Sequence, residues 1–462
     1  MNPIFVYAAL SYLFGTALYR RFFHPLHKYP GPMLAAITDW YEAYYNIVKG
    51  GGLVAELERL HKLHGEIGPN TLHFNDRQAY HDIYTFGSTL VKDNGFYEGL
   101  NAHAPQACFS FCDPKAAKKR RGLLQPLFSR RGVMDLEYVI QKKVDRLIGI
   151  LEKKYDSPDA TVSMSVAYNA LTTDIITSYC FAESANTLDT PNFAHPMLIG
   201  IQNTFKSLWL QRHFPFLVSL AISAPQHIIL WLLPTFRGYV EMKAGYEHQV
   251  DRLIKDPGVL DTVEHETVFH HLLAPKNQQR PSRTSLVHEA FVLVAAGSDT
   301  VGSVCTIGTF YALRLPYIRK KLLDELESAW PDKDQPMSYS ALEKLPYLTA
   351  FVKEPLRFSI GAIHPCPRVV GEDTPKIGGL KVPPGTIVEM STLFLHMNPD
   401  IYPEPYTFNP ERWLVNDPGQ IILDLAPFSK GPRICLAWCE LYLIFGNILR
   451  KLNLELLITE NT

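Results

Sequence analysis

Seven cysteines in 462 residues are few, and their number is odd. That argues against a disulfide framework and for a reducing compartment. Two Cys-x-x-x-Cys pairs exist, Cys108/Cys112 and Cys435/Cys439. Neither has a second pair or a nearby His-x-x-x-His, so a structural zinc site is disfavoured. Net charge is also missing. Lys and Arg total 45 against 46 acidic residues, so no global field draws the chain to nucleic acid or anionic lipid. No internal repeat and no low-complexity tract occurs. With 47 % hydrophobic and 20 % charged residues, the profile is globular, without a disordered tail.

The N-terminus has no charge from Asn2 to Tyr19, after which come Arg20 and Arg21. Eighteen residues is the short end of a membrane span. A secretory signal would have basic residues before the run and a small-residue cleavage site after it, and both are lacking. Basic residues after the run predict a single-pass anchor over 1–20 with the body in the cytosol, as at the endoplasmic reticulum. A buried N-terminal helix is the competing reading. Prolines 25, 30 and 32 predict a stiff hinge over 21–35, and 36–462 reads as one globule.

Apolar periodicity predicts helices over 136–154 and 319–330. Residues 285–315 are almost wholly apolar, interrupted by His288, Glu289 and Asp299. A helix apolar all round should cross the centre of a large protein rather than a membrane. Residues 364–396 show short alternating runs with Pro and Gly turns, which predict a small sheet. The fold class is therefore mainly α with a small β region.

Four motifs carry chemistry. Phe428, Gly431, Arg433 and Cys435 fit F-x-x-G-x-R-x-C. Glycine permits a tight turn, and backbone N–H groups aimed at a sulfur stabilise a thiolate. Within the apolar helix stand Ala296, Gly297, Ser298, Asp299 and Thr300. An acid beside a hydroxyl can relay protons; the plainer reading is a threonine bonded back to its own helix carbonyl. That reading leaves a buried, unpartnered Asp299 unexplained. Glu354 and Arg357 share one helix face, and Pro410, Glu411 and Arg412 follow later.

In this order, the motifs resemble those of the cytochrome P450 family, the heme-thiolate monooxygenases. The stretches "FHPLHKYPGPMLAAITDWYEAYY" and "KLPYLTAFVKEPLR" resemble fungal members near the trichodiene oxygenase group. The resemblance implies the family fold, a long helix over heme b with the cysteine loop on the other side. It implies that Cys435 ligates the iron. Phe428 and Gly431 shape the loop. Arg433, Arg368, Arg121 and Lys118 meet propionates, Ala296 and Gly297 leave room for dioxygen, and Asp299 and Thr300 deliver protons. Glu354, Arg357 and Arg412 form a structural network. It further implies an apolar, terpenoid-like substrate, an NADPH-dependent reductase and cytochrome b5 as partners, and substrate contacts from 94–112, 203–217, Phe291 to Ala296 and Ser359 to His364.

The chain also departs from the family. Ala437 stands where Gly is usual after the cysteine, and one helical turn is missing there. The first strand near 64–74 is shortened, Ala117 replaces a His or Trp, and Pro355 lies between Glu354 and Arg357. Two alternatives remain open: a heme protein without oxygenase activity, and a reductase-independent isomerase or dehydratase. Lys115 to Arg121 also reads as a solvated basic face or a reductase-docking patch. Cys439 reads as a small buried residue.

Overall fold

The long apolar run dictates the architecture. It forms helix α6 (Arg283–Arg314), capped by Ser282, whose hydroxyl accepts from the Ser285 N–H. At ~1.5 Å per residue its 32 residues reach about 48 Å. The computed structural model describes the chain except residues 1–2, 63–69, 86, 101–102, 158, 218–219, 221–223, 235–236, 276–278, 360, 362, 416–418, 430–435 and 458–462, and the side chains of 226 and 420. Among the described residues α6 is the one helix long and apolar enough to cross a membrane. It is a core helix instead: Leu286, Val287, Ala290, Val294, Val301 and Cys305 are buried in the main apolar cluster.

Other helices close around it. Before it come α2 (Pro114–Leu124), α3 (Glu137–Lys154), α4 (Met164–Phe181) and α5 (Arg237–Lys255); after it come α7 (Pro316–Ala329), α8 (Pro346–Phe358) and α9 (Ala437–Lys451). Helix α4 runs along α6 most extensively, with α5, α8 and α9 also against it. Glycine makes the approach possible. A Cβ at Gly302 would lie 2.1 Å from Asn169 Oδ1 of α4, and one at Gly308 2.4 Å from the Phe445 ring of α9. The helices expected at 136–154 and 319–330 are α3 and α7. Their periodic residues, among them Ile140, Val144, Leu147, Ile318, Leu322 and Leu326, are buried.

Pro355 does not break α8, which continues to Phe358. Proline there gives up one N–H bond, the one to the Phe351 carbonyl, and only three residues of helix follow it. The expected sheet is present but stops early. Strands β1 (Thr71–His73), β2 (Val91–Lys92), β3 (Arg368–Val369) and β6 (Ile387–Glu389) join in the order β1-β6-β3-β2. Thr71 pairs in parallel with Ile387, while β3 runs antiparallel to both β2 and β6. Strands β4 (Lys376–Ile377) and β5 (Leu380–Lys381) form a separate hairpin. Residues Thr392–His396 are a helix, not strand: the Ser391 hydroxyl caps the Leu393 N–H and starts a turn.

At the N-terminus α1 (Pro3–Phe22) has no buried residue. Ile4, Phe5, Tyr7, Tyr12, Leu13 and Phe14 are all largely exposed, which sets aside a buried helix. Arg20 ties its end to the body, donating to the Ile37 carbonyl at 2.8 Å beside Asp39. The helix outlasts the charge-free run by three residues, and helical structure resumes at Met33. The prolines fall between.

Candidate active site

Ala296 and Thr300 lie one turn apart at the middle of α6. Both are exposed, while their neighbours on the helix are half-buried or buried. The face they share therefore opens onto internal space. Across it stands Gly361, whose Cβ position lies 3.5 Å from Thr300 Cγ2. Gly297 turns the other way; a Cβ there would meet Ile176 Cγ1 at 2.6 Å. Its role in the structure is close packing of α6 on α4.

The Thr300 hydroxyl donates to the Ala296 carbonyl at 2.9 Å, the ordinary bond of a helical threonine. Asp299 is half-buried, and it has a partner: the Asn169 amide donates to Oδ1 at 3.1 Å. The expectation of an unpartnered acid is thus corrected, because α4 comes close enough to supply the donor. Burial raises the Asp299 pKa, and the Asn169 bond opposes the rise. Thr172 of α4 also donates to the Ser298 carbonyl, so the motif is held from one side by α4 and open on the other.

Glu354, Arg357 and Arg412 come together. Arg357 donates to Glu354 at 2.7 and 3.2 Å, and to the carbonyls of His396 and Pro405 at 2.9 and 2.7 Å. Arg412 reaches Glu354 at 3.2 Å. The Trp413 indole and the Asn409 N–H complete its carboxylate at 2.8 and 3.0 Å. His396 extends the set. Its Nδ1 bonds the Arg357 carbonyl, and its Nε2 accepts the Ala426 N–H at 2.9 Å. With Nε2 as acceptor the ring is the neutral Nδ1–H form.

That last bond matters for the cysteine segment. Gly431, Arg433 and Cys435 lie outside the described residues, but the chain on either side is fixed. Asp424 is fully buried and held by Arg77 and His81, each at 2.7 Å. His396 pins Ala426 two residues later. Phe428 then meets Trp438 of α9 edge-on, with centroids 6.0 Å apart. The two ends of the segment therefore meet, and α9 starts only two residues after Cys435. Cys439 is buried, and burial pushes its thiol well above the usual range.

The candidate propionate partners divide. Arg368 is largely buried over the rings of Tyr84 and Tyr97 and donates to the Tyr97 hydroxyl at 2.9 Å and to the Cys366 and Pro367 carbonyls. Among the described residues no carboxylate forms an ion pair with it. A buried cation without a counter-anion calls for one, which fits a heme propionate. Arg121 is exposed, its Nε on the Ala117 carbonyl at 3.2 Å, and Lys118 is exposed as well. The neighbouring Arg120 points inward instead, to Glu289 at 2.7 Å and Ser285 at 2.8 Å.

The fold, the open face of α6 and the arginine without a carboxylate are matched by comparison with known sequences. A profile of the cytochrome P450 family matches residues 74–461. The chain belongs to the cytochrome P450 family. It is an oxidoreductase, a monooxygenase of the kind its relatives are, and the family's cofactor is heme with a cysteine thiolate as axial ligand. Cytochrome P450 monooxygenase MO6277 of Ascocoryne sarcoides is 31 % identical over 490 residues, covering 98 % of this chain and 93 % of the relative. Cytochrome P450 monooxygenase BOT1 of Botryotinia fuckeliana is 32 % identical, covering 95 % of this chain and 87 % of the relative. Conidiogenone synthase PchP450 of Penicillium rubens is 32 % identical, covering 96 % and 91 %. P450 monooxygenases of this kind use a redox partner and a small-molecule substrate, and fungal members are typically membrane-associated.

Three of the stretches expected to touch substrate meet at one ring: His364 from 359–364 stacks on Phe96 from 94–112 at 5.2 Å and lies tilted against Trp209 from 203–217 at 4.8 Å. Beside them stand Glu42 and Asn46, which sequence reasoning did not single out. Asn169 and His396 were missed too. Each works through a partner more than thirty residues away, and no local spacing signals that.

Proposed function

We propose that this P450 inserts one atom of dioxygen into a largely apolar small molecule, a terpenoid or related fungal secondary metabolite, with electrons from an NADPH-dependent reductase. The observation that supports it is the exposed Ala296–Thr300 face at the middle of the long core helix. Heme, when bound, supplies the activation of dioxygen. Cys435 is the proposed iron ligand. Arg368, Arg433 and Arg121 are the proposed propionate partners, with Lys118 at the same helix, while Phe428 and Gly431 shape the cysteine loop.

Asp299 and Thr300 have distinct parts. A carboxyl whose pKa burial raises is protonated in a larger fraction near neutral pH than an ordinary one and so has a proton to supply, and Asn169 fixes its orientation. The Thr300 hydroxyl carries the proton to the open side of α6, leaving its bond to Ala296 as it does so. Ala296, with one methyl, leaves the space free. The single-pass anchor over 1–20, the hinge over 21–35 and an endoplasmic reticulum location with a cytosolic domain belong to the same reading, supported by α1 having no buried residue.

The carbon monoxide difference spectrum of the reduced, full-length protein in membranes tests the ligand. A strongly red-shifted Soret band that Cys435→Ala abolishes is expected; an unshifted band sinks the proposal. Consumption of NADPH with oxygenated product separates a monooxygenase from an inactive heme protein or an isomerase. Thr300→Ala should uncouple NADPH use from product, and unchanged coupling removes Thr300 from the relay.

A further inference from the structure

A cluster of polar groups, with Asn46 buried, the His213 and His364 side chains nearly so and Glu42 half-buried, lies beside the proposed substrate space. Glu42 Oε1 is approached by Asn46 Nδ2 at 3.2 Å and by Nε2 of both His213 and His364 at 3.8 Å. The proton positions follow from the other bonds. His364 Nδ1 bonds the Pro365 carbonyl at 2.9 Å, so in the neutral ring Nε2 is a bare acceptor. Burial keeps it neutral, pushing its pKa down to about 4. His213 is likewise pushed down to about 4, and its Nε2 faces the Asn46 amide at 3.3 Å. Asn46 turns its NH2 to Glu42 and His213, which leaves Oδ1 pointing elsewhere.

Among the described residues, His364 Nε2, Asn46 Oδ1 and Arg212 Nε are buried without a hydrogen-bond partner. Asn46 is 1 % exposed and the His364 side chain 10 %. Such atoms are rare in folded proteins and mark a missing partner. The cluster is also close to the chemistry. Gly361 touches Thr300, and three residues of chain span at most about 11 Å from it to His364. A rigid two- or three-ring molecule can bridge that interval.

We propose that Glu42, Asn46, Arg212, His213 and His364 recognise a hydroxyl group on the substrate, at the end remote from the carbon that is oxidised. This rests on the monooxygenase reading above and narrows its substrate class. The balance of donors decides the group. Among the described residues of the cluster, His364 Nε2 and Asn46 Oδ1 are the acceptors left over and Arg212 Nε is the donor left over. An O–H satisfies both kinds, donating to an acceptor and accepting from Arg212. A carboxylate or ketone adds acceptors where donors are short. An ammonium is repelled by the Arg212 guanidinium. A hydrocarbon leaves every group unmet. The substrate therefore arrives already bearing oxygen, so a hydroxylation, a carbonyl reduction or a water-quenched cyclisation must precede this enzyme.

Calorimetric titration of the heme-loaded, full-length protein with trans-decalin, 2-decalone and 2-decalol tests the idea. The alcohol is expected to bind at least tenfold tighter than the other two. His364→Phe keeps the stacking on Phe96 and Trp209, and Asn46→Leu keeps the volume; each should reduce the preference at least fivefold without weakening decalin. Equal affinity for the three probes, or a preference that both variants retain, overturns the proposal. Heat of binding does not depend on the iron ligand. The carbon monoxide spectrum of the same sample tells failure of the monooxygenase reading apart from failure of this one.

Discussion

Two polar clusters, one around Glu354 and one around Glu42, are built on opposite rules. Around Glu354 one carboxylate oxygen accepts from Arg357, Arg412 and the Asn409 N–H and the other from Arg357 and Trp413. Around Glu42 three atoms of its neighbours have no partner among the described residues. A satisfied network can only hold the fold, since a ligand has nothing to add to it. A network with open valences holds less and can still bind. Satisfaction, not charge or burial, separates structure from recognition here.

The largest expected effect breaks the satisfied side. Glu354→Ala leaves two guanidinium groups without their carboxylate, Arg357 among them fully buried. Removing one partner of such a pair costs about 3–5 kcal/mol. Chemical denaturation should show that loss, along with poor retention of heme, because His396 and the chain before Cys435 hang on the same set. A cost below about 1 kcal/mol would show the network to be dispensable.

Glu440 sharpens the comparison. It is buried on α9 with Oε1 unpartnered among the described residues, and it lies among the buried thiols of Cys180, Cys305 and Cys439 and the Tyr179 ring, none of which bonds that oxygen. An open valence in apolar surroundings is a liability rather than a site. Burial raises its pKa to about 8 from 4.5. The folded state therefore keeps its proton between those values while the unfolded chain loses it. Stability from this group is full below pH 4.5 and is lost as pH rises toward 8, by up to about 1.4 kcal/mol per unit. Glu440→Gln should flatten that part of the pH–stability curve. An unchanged slope would mean that the carboxyl finds a partner.

Gly302→Ala tests the packing that brings Asn169 to Asp299. The new methyl would collide with the Asn169 amide, which must move. Overpacking of this kind costs about 1–3 kcal/mol. Coupling of NADPH to product should fall with it, as in Asn169→Ala, if the amide orients the acid. Full coupling in both variants would leave Asn169 a packing residue.

What the sequence made legible follows the same division. The A-G-S-D-T stretch, the Glu354/Arg357 pair and the P-E-R triplet are readable because their chemistry sits within five residues or fewer. The long helix and α3 are readable from periodicity. Arg120 and Arg121 are not separable by sequence: they are neighbours about 100° apart on one helix, and only packing decides which turns inward to Glu289. The Thr392–His396 helix was hidden by its apolar run, which suits a strand equally well. The Glu42 cluster was the least legible, drawing on residues 42–46, 212–213 and 364. In "WYEAYYNIV" Glu42 reads as the solvent side of an amphipathic helix.

The smallest expected effect closes the comparison from the other side. If the Glu42 cluster is built for a ligand, removing its acceptors should hardly trouble the folded protein. His364→Phe deletes an acceptor that has no hydrogen-bond donor and keeps an aromatic ring between Phe96 and Trp209. Replacing an unsatisfied polar group by an apolar one of similar shape is nearly neutral or stabilising, so stability should change by less than about 1 kcal/mol, in the direction of a gain. Loss of several kcal/mol in denaturation would instead place His364 with Glu354, as a member of a structural network.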